Sequence, residues 1–136
     1  MLNWQEIDTV FLDMDGTLLD LHFDSHFWLE FVPAVYAKKN GLDPDEARIW
    51  LHERIMREVG TLQWYCFDYW SKELDLPITE LKAEVADRIG YRDSVQEFLH
   101  KVRQSGRRMV IVTNSHRGGV DLKFKHTNLE AEVDRT

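Results

Sequence analysis

The 136-residue sequence is 43 % hydrophobic and carries 24 acidic against 17 basic side chains, a formal net charge of −7. That length and apolar content suit one ordinary packed domain, and the acidic balance excludes a broad basic surface for nucleic acid or anionic membrane. A single cysteine excludes an intrachain disulfide. With no basic-then-apolar leader and no window approaching the length of a membrane span, the cytoplasm is the expected location.

In chain order, Thr9-Val10-Phe11-Leu12 is a β-branched and apolar run without polar alternation, which predicts a strand covered on both faces in a parallel sheet. It leads directly into Asp13-Met14-Asp15-Gly16-Thr17. Asp24-Ser25 caps a predicted helix carrying Phe27, Trp28, Phe31, Val35 and Tyr36, broken or kinked at Pro33 and stopped near Asn40-Gly41. Asp43-Pro44-Asp45-Glu46 combines an N-cap, a first-turn proline and two first-turn acids, opening a helix that runs to about Gly60. Thr61 is the expected cap of a third helix, with Leu62, Tyr65, Cys66 and Tyr69 on one face and Trp64, Phe67, Trp70 and Leu74 widening it. Thr79 opens a short fourth.

Asp93 and Gln96 have capping-box spacing, and Val95, Phe98, Leu99 and Val102 form a helical stripe closed by Ser105-Gly106. A second strand, Met109-Val110-Ile111-Val112, ends in Thr113-Asn114-Ser115. Gly118-Gly119 precede a weaker helix through Val120, Leu122 and Phe124, and a third strand begins near Val133. The stretch of about 70 residues between the first two strands is far longer than a βαβ crossover needs. The expected class is therefore α/β: an incomplete parallel core from residues 1–20 and 90–136, interrupted by an all-helical unit at residues 21–89.

In open α/β sheets the ligand crevice lies beyond the carboxyl ends of the strands, where Asp13 and Asp15 fall. A spacing of two sets both carboxylates on one side of extended backbone. Gly16 permits a sharp exit and Thr17 supplies a hydroxyl. Two neighbouring acids repel each other and a phosphate dianion, so a hard cation such as Mg²⁺ belongs between them, with Asp13 and Asp15 as its ligands. One carboxylate is then suited to attack phosphorus and the other to handle the leaving-group proton. An isolated Asp-x-Asp more often caps a turn. The buried strand before it, the Gly-Thr after it and a second strand ending in Thr-Asn favour a site.

These residues resemble the first motif of the haloacid dehalogenase superfamily, Asp-x-Asp-Gly-Thr after a hydrophobic strand. The resemblance implies a Rossmann-like parallel sheet with a type-one helical cap, Asp13 as nucleophile, and Asp15 as general acid/base whose main-chain carbonyl also touches magnesium. It implies that Thr113, helped by Asn114, binds the transferring phosphoryl group. An acid at Asp15 favours phosphate over halide chemistry. The segments Leu12–Leu21, Thr61–Trp70 and Thr113–His116 are in addition similar to the bacterial purine nucleotidases, which implies GMP or IMP as substrate and Mg²⁺ as cofactor. Trp64 and Asp68 are candidates for contact with the base, against the competing reading that the aromatic stretch is core. Sugar phosphates, phosphomutase chemistry and a non-catalytic remnant are the alternatives.

The superfamily's third-motif lysine and fourth-motif acidic pair are expected on later strands, beyond Thr136, so the chain is expected to be truncated and short of that chemistry. Lys123 and Lys125 follow the second strand too closely to substitute and are expected to be solvated surface residues. Cys66 is expected to pack on a helix face, and His116 and the pair Arg107-Arg108 to lie at the surface.

Overall fold

In this computed structural model, which describes residues 2–136, two four-residue strands form the sheet. β1 (Thr9–Leu12) pairs in parallel with β2 (Arg108–Ile111), Thr9 facing Arg108 and Leu12 facing Ile111, so the second strand begins one residue earlier than predicted. On the far side of β2, Asp134 donates its N–H to the Met109 carbonyl at 2.8 Å and Ile111 donates to the Arg135 carbonyl at 2.9 Å. The strand expected near Val133 is thus a single parallel bridge between Val110 and Arg135. Coverage of β1 on both faces is not realised, for Phe11 is 71 % exposed.

The helical segment between the strands starts with α1 (His22–His26) and passes through a wide turn, Phe27–Phe31, into α2 (Val32–Asn40). Val32 donates to the carbonyl of Phe27, five residues back, and Pro33 follows in the first turn of α2, where a missing N–H is tolerated. The predicted break is therefore a widened turn. Gly41, at φ +64°, ends α2 in the left-handed conformation that a glycine adopts without steric cost. Asp43 caps α3 (Pro44–Met56), its Oδ1 accepting from the amides of Asp45 at 3.0 Å and Glu46 at 3.1 Å.

Several sequence expectations fail in this segment, beginning with Asp24-Ser25, which lies inside α1 and does not cap it. Helix α3 stops at Met56, short of Gly60, and Thr61 caps nothing after it, because its hydroxyl donates backwards to the Glu58 carbonyl at 2.8 Å. The next full helix, α4 (Phe67–Leu74), starts six residues later with Cys66 as its cap, the thiol sulfur accepting from the Tyr69 amide at 3.4 Å. Its buried stripe is Phe67, Trp70 and Leu74, while Leu62 is 83 % exposed. The residues expected to widen the apolar face are the ones that form it. Helix α5 (Ile78–Glu84) follows.

Helices α6 (Val95–Gln104), α7 (Arg117–His126) and α8 (Leu129–Glu132) complete the chain. The capping box ahead of α6 does not form: Ser94 precedes the helix at φ +65° and no side chain caps it. The apolar interior divides into two clusters. One joins the sheet to α6 and α7 through Met14, Leu18, Leu99, Met109 and Val120; the other joins the helices between the strands through Phe23, Phe27, Leu51, Trp70 and Ile78. The two layers meet closely at Gly119, where an added Cβ would sit 2.9 Å from the Phe67 ring. No helix among the described residues is long and apolar enough to cross a membrane.

Leu51 is fully buried whereas Ile49, on the same helix, is 60 % exposed. Leu51→Ala is expected to cost about 2–5 kcal/mol in urea denaturation. Ile49→Ala should stay within about 0.5 kcal/mol of wild type.

Candidate active site

The chain leaves β1 through a tight loop. Met14 is wholly buried between Asp13 and Asp15, and Gly16, at φ +80°, turns the backbone so that its amide donates to the Leu19 carbonyl at 2.8 Å. That reversal presents Asp13 to solvent, accepting a hydrogen bond from the Thr17 hydroxyl at 3.0 Å. Among the described residues Asp13 makes no ion pair.

Asp15 is differently placed. Its Oδ2 accepts from the Ser115 hydroxyl at 2.7 Å, and its Oδ1 accepts from the Lys123 ammonium at 2.5 Å. Lys123 also donates to Asp24 Oδ2 at 2.7 Å, and Lys82 donates to Asp24 Oδ1 at 2.7 Å. The chain Asp15–Lys123–Asp24–Lys82 thus alternates in sign and crosses from the sheet layer to the helical layer. Both lysines are almost completely buried. The Lys82 nitrogen lies 4.7–5.0 Å from the ring centroids of Phe23, Phe27 and Phe67, close enough for cation–π attraction. Burial pushes the Lys82 ammonium below its ordinary value, against the pull of Asp24. At Asp24 burial acts to raise the carboxyl, but the adjacent Lys82 and Lys123 ammoniums outweigh it and hold the group below the usual range.

A cleft of about 430 Å³ opens onto Asp15 and Ser115 and runs between the helices past Trp28, His52, Trp64 and Tyr65. Its size is that of a small-molecule site. Of the two residues singled out for base contact, Trp64 lines this cleft and Asp68 does not; the Asp68 carboxylate lies 3.5 Å from His116 Nε2 instead. The surrounding aromatic stretch divides, with Phe67 and Trp70 in the core and Tyr65 half exposed. Thr113 lies past the end of β2 with its hydroxyl oxygen accepting from the Ser115 amide at 3.1 Å, and Asn114 is exposed. His116 is not a free surface side chain: its Nδ1 accepts from the Gly118 amide at 3.1 Å, capping α7, and its ring stacks on Phe67.

The donor set bears on the expected cation. Mg²⁺ is commonly held by one or two carboxylates, with water and substrate phosphate supplying the rest. The exposed Asp13 carboxylate and the Asp15 main-chain carbonyl fit that pattern. The Asp15 carboxylate fits it less well, since each oxygen already accepts a hydrogen bond and one of them faces the Lys123 ammonium. No group of three or more His, Cys, Asp or Glu side chains among the described residues is arranged around a metal-sized space.

The chain belongs to the haloacid dehalogenase-like hydrolase family, whose model matches residues 7–135. It is 42 % identical over 131 residues to the GMP/IMP nucleotidase YrfG of Escherichia coli (strain K12), and equally to the protein of that name in Shigella flexneri. The match takes in 96 % of this chain but 59 % of each relative, so the chain spans about three fifths of their length. Among solved structures, a HAD phosphatase from Thermococcus onnurineus aligns with a TM-score of 0.81 at 25 % identity, over 95 % of this chain and 60 % of that one. A putative β-phosphoglucomutase from Thermotoga maritima aligns at 0.59 and 20 % identity, over the same shares, which bears on the fold alone.

The expectation that Lys123 is a solvated surface residue is overturned, while Lys125 is exposed as expected. The signal lay in helical periodicity. Lys123 falls in the stripe Gly119, Val120, Lys123, Phe124, and Lys82 falls in Ile78, Leu81, Lys82, Val85. A lysine at an i+3 or i+4 position of an apolar stripe must be buried with an anion or break the helix face. Asp24 and Ser115 carried no comparable mark, because a helix-start acid and a loop serine are ordinary.

Asp24 ionises more readily in the folded chain than in the unfolded one. The stability it contributes is complete above the unfolded value of about 4 and is lost as pH falls through the lower folded value. Asp24→Asn should unfold at lower urea at neutral pH, by about 3–5 kcal/mol, since it strips two buried ammoniums of their shared anion. Urea midpoints measured from about pH 5 to pH 2.5 should fall less steeply in this variant than in wild type.

Proposed function

We propose that the protein is a Mg²⁺-dependent phosphomonoesterase acting on purine nucleoside monophosphates, with residues 21–89 as a cap over a core of residues 1–20 and 90–136. The observation that carries this reading is the unequal pair at the end of β1: a free, solvent-facing Asp13 beside an Asp15 held by two hydrogen-bond donors, under an aromatic cleft. Similarity to nucleotidases named for GMP and IMP supports the substrate class.

Asp13, which no side-chain ammonium or guanidinium among the described residues pairs with, is the nucleophile. Its carboxylate oxygen bonds to phosphorus as the ester P–O bond breaks, and the departing nucleoside oxygen takes a proton from Asp15. Water then attacks the acyl phosphate and returns a proton to Asp15. The P–O bond to Asp13 breaks and inorganic phosphate leaves. Thr113 and Asn114, beyond the end of β2, are suited to hold the transferring phosphoryl oxygens. The Asp13 carboxylate and the Asp15 carbonyl would hold Mg²⁺, which supplies positive charge against the phosphate. That charge is needed locally, because the chain is acidic overall and both nearby ammoniums are committed to carboxylates. The aromatic walls at Trp28 and Trp64 offer π faces to a purine. The acidic composition, single free cysteine and absence of a membrane-crossing helix among the described residues agree with a cytoplasmic setting.

Phosphate release should be measured over a panel of GMP, IMP, pyrimidine monophosphates and sugar phosphates, with and without Mg²⁺. Release from GMP and IMP above the others, abolished by chelation, is expected. A preference for sugar phosphates, or isomerisation without release, would replace the nucleotidase reading with that of a sugar phosphatase or a phosphomutase. Asp13→Asn should lose turnover on every substrate, and unchanged activity would remove it as nucleophile. Asp15→Asn should lower kcat on GMP by about 10²–10⁴-fold.

A further inference from the structure

Asp15 is not oriented by its own loop alone. Of its two carboxylate oxygens, one takes the Lys123 ammonium at 2.5 Å and the other the Ser115 hydroxyl at 2.7 Å, and both donors come from the segment after β2. A carboxylate has about four acceptor positions, so two remain for a leaving group or a water. Lys123 is a long, flexible side chain that would sample many rotamers if left to itself. What fixes it is Asp24, whose Oδ2 receives a second hydrogen bond from the same nitrogen at 2.7 Å. Asp24 sits on α1, at the beginning of the helical layer, and is itself held by Lys82 from α5 of that layer at 2.7 Å.

We propose that Lys123 is a positioning residue for the acid/base Asp15, and that Asp24 seats it, so that Asp15 is correctly aimed only when the helical layer is docked on the sheet layer. This deepens the phosphatase reading and rests on it. The nitrogen of Lys123 bridges the two layers directly, one carboxylate from each, and is itself almost completely buried. Separation of the layers removes Asp24 from Lys123 and frees the ammonium to swing. Docking restores the bridge and with it the direction of the Asp15 oxygens. Nothing comparable holds Asp13, whose hydrogen bond from Thr17 lies within its own loop. The arrangement therefore couples the docked state to proton transfer specifically, and leaves nucleophilic attack independent of it.

The test compares leaving-group release in the first turnover, before the water step that uses Asp15 for either ester, between GMP, whose alkoxide needs a proton, and p-nitrophenyl phosphate, whose phenolate departs without one. Lys123→Met should lower kcat on GMP by about 10²-fold, the scale of a misaimed catalytic group. First-turnover release of p-nitrophenolate and KM for GMP should each stay within about threefold on the same argument. Asp24→Asn should show the same selective loss, and Lys123→Arg should restore part of it. Ser115→Ala, which removes only a hydroxyl and leaves the buried ions paired, provides the selective-loss test where the charge variants do not fold. An equal fall on both esters would mark Lys123 as merely structural and overturn the proposal. A rise in KM alone would make it a substrate-binding residue, and overturn it too. If Ser115→Ala leaves the ratio of the two esters unchanged in the absence of a folded Lys123 variant, the claim that Asp15 needs external aiming is wrong. Wild-type protein that hydrolyses neither ester overturns the phosphatase reading and this proposal with it, whereas an active wild type with unselective variants overturns the proposal alone.

Discussion

Two ammonium groups buried beneath aromatic rings impose the constraint on which this structure depends. A desolvated cation without a partner costs far more than a typical domain's margin of stability. Lys82 and Lys123 are nevertheless nearly inaccessible, and Asp24 lies between them with one oxygen on each. The rings of Phe23, Phe27 and Phe67 offer Lys82 their electron-rich faces, which offsets some of the lost hydration but brings no negative charge. The remaining compensation is ionic. It requires that α1, α5 and α7, which lie far apart in sequence, converge within a few ångströms. The docking of the helical layer on the sheet layer is thereby tied to one carboxylate, and a second carboxylate, Asp15, completes the charge balance around Lys123.

The apolar contacts at the same boundary have a complementary part. Phe67 comes so close to α7 that only glycine fits at position 119, and His116 stacks on the same ring while capping α7. These contacts are non-directional and would tolerate a small slide of one layer over the other. The lysine–carboxylate chain would not, since hydrogen bonds of 2.5 to 2.7 Å weaken steeply when misaligned. Packing brings the layers together, and the buried ions fix their register.

Most of what local chemistry determines was legible in the sequence. The strand at Thr9–Leu12, the Asp43 cap, the left-handed stop at Gly41 and the sharp turn at Gly16 each follow from a few adjacent residues, and each is found. Misplaced features were those in which a second local partner competed. Thr61 had an equally good acceptor behind it at Glu58, and the capping box before α6 yielded to the left-handed turn at Ser94. For the candidate site, Asp13, Asp15 and Thr113 could be singled out because each lies directly after a run that reads as a strand. The partners of Asp15 could not be assigned, because Ser115, Lys123 and Asp24 meet it only through tertiary contact. Lys123 is also masked by its neighbours: Asp121 and Lys125 are polar and exposed, and they hide the apolar stripe in which it lies.

The same tertiary contacts distinguish two carboxylates that spacing alone presents as equivalents and that only the family resemblance separates. In the motif, Asp13 and Asp15 differ only by position, and repulsion between them calls for a shared cation. The structure relieves that repulsion asymmetrically. Asp15 receives a protein cation and a hydroxyl, while Asp13 receives a neutral hydroxyl and open solvent. In the mechanism proposed above, the nucleophile must approach phosphorus and then release it, and freedom and access suit Asp13 to that role. A proton carrier must meet the leaving oxygen in one direction and the water in the reverse step, so a fixed aim suits Asp15. One lysine inside a core, at a position that periodicity assigns to an apolar side chain, is enough to make the surroundings of the two carboxylates unequal.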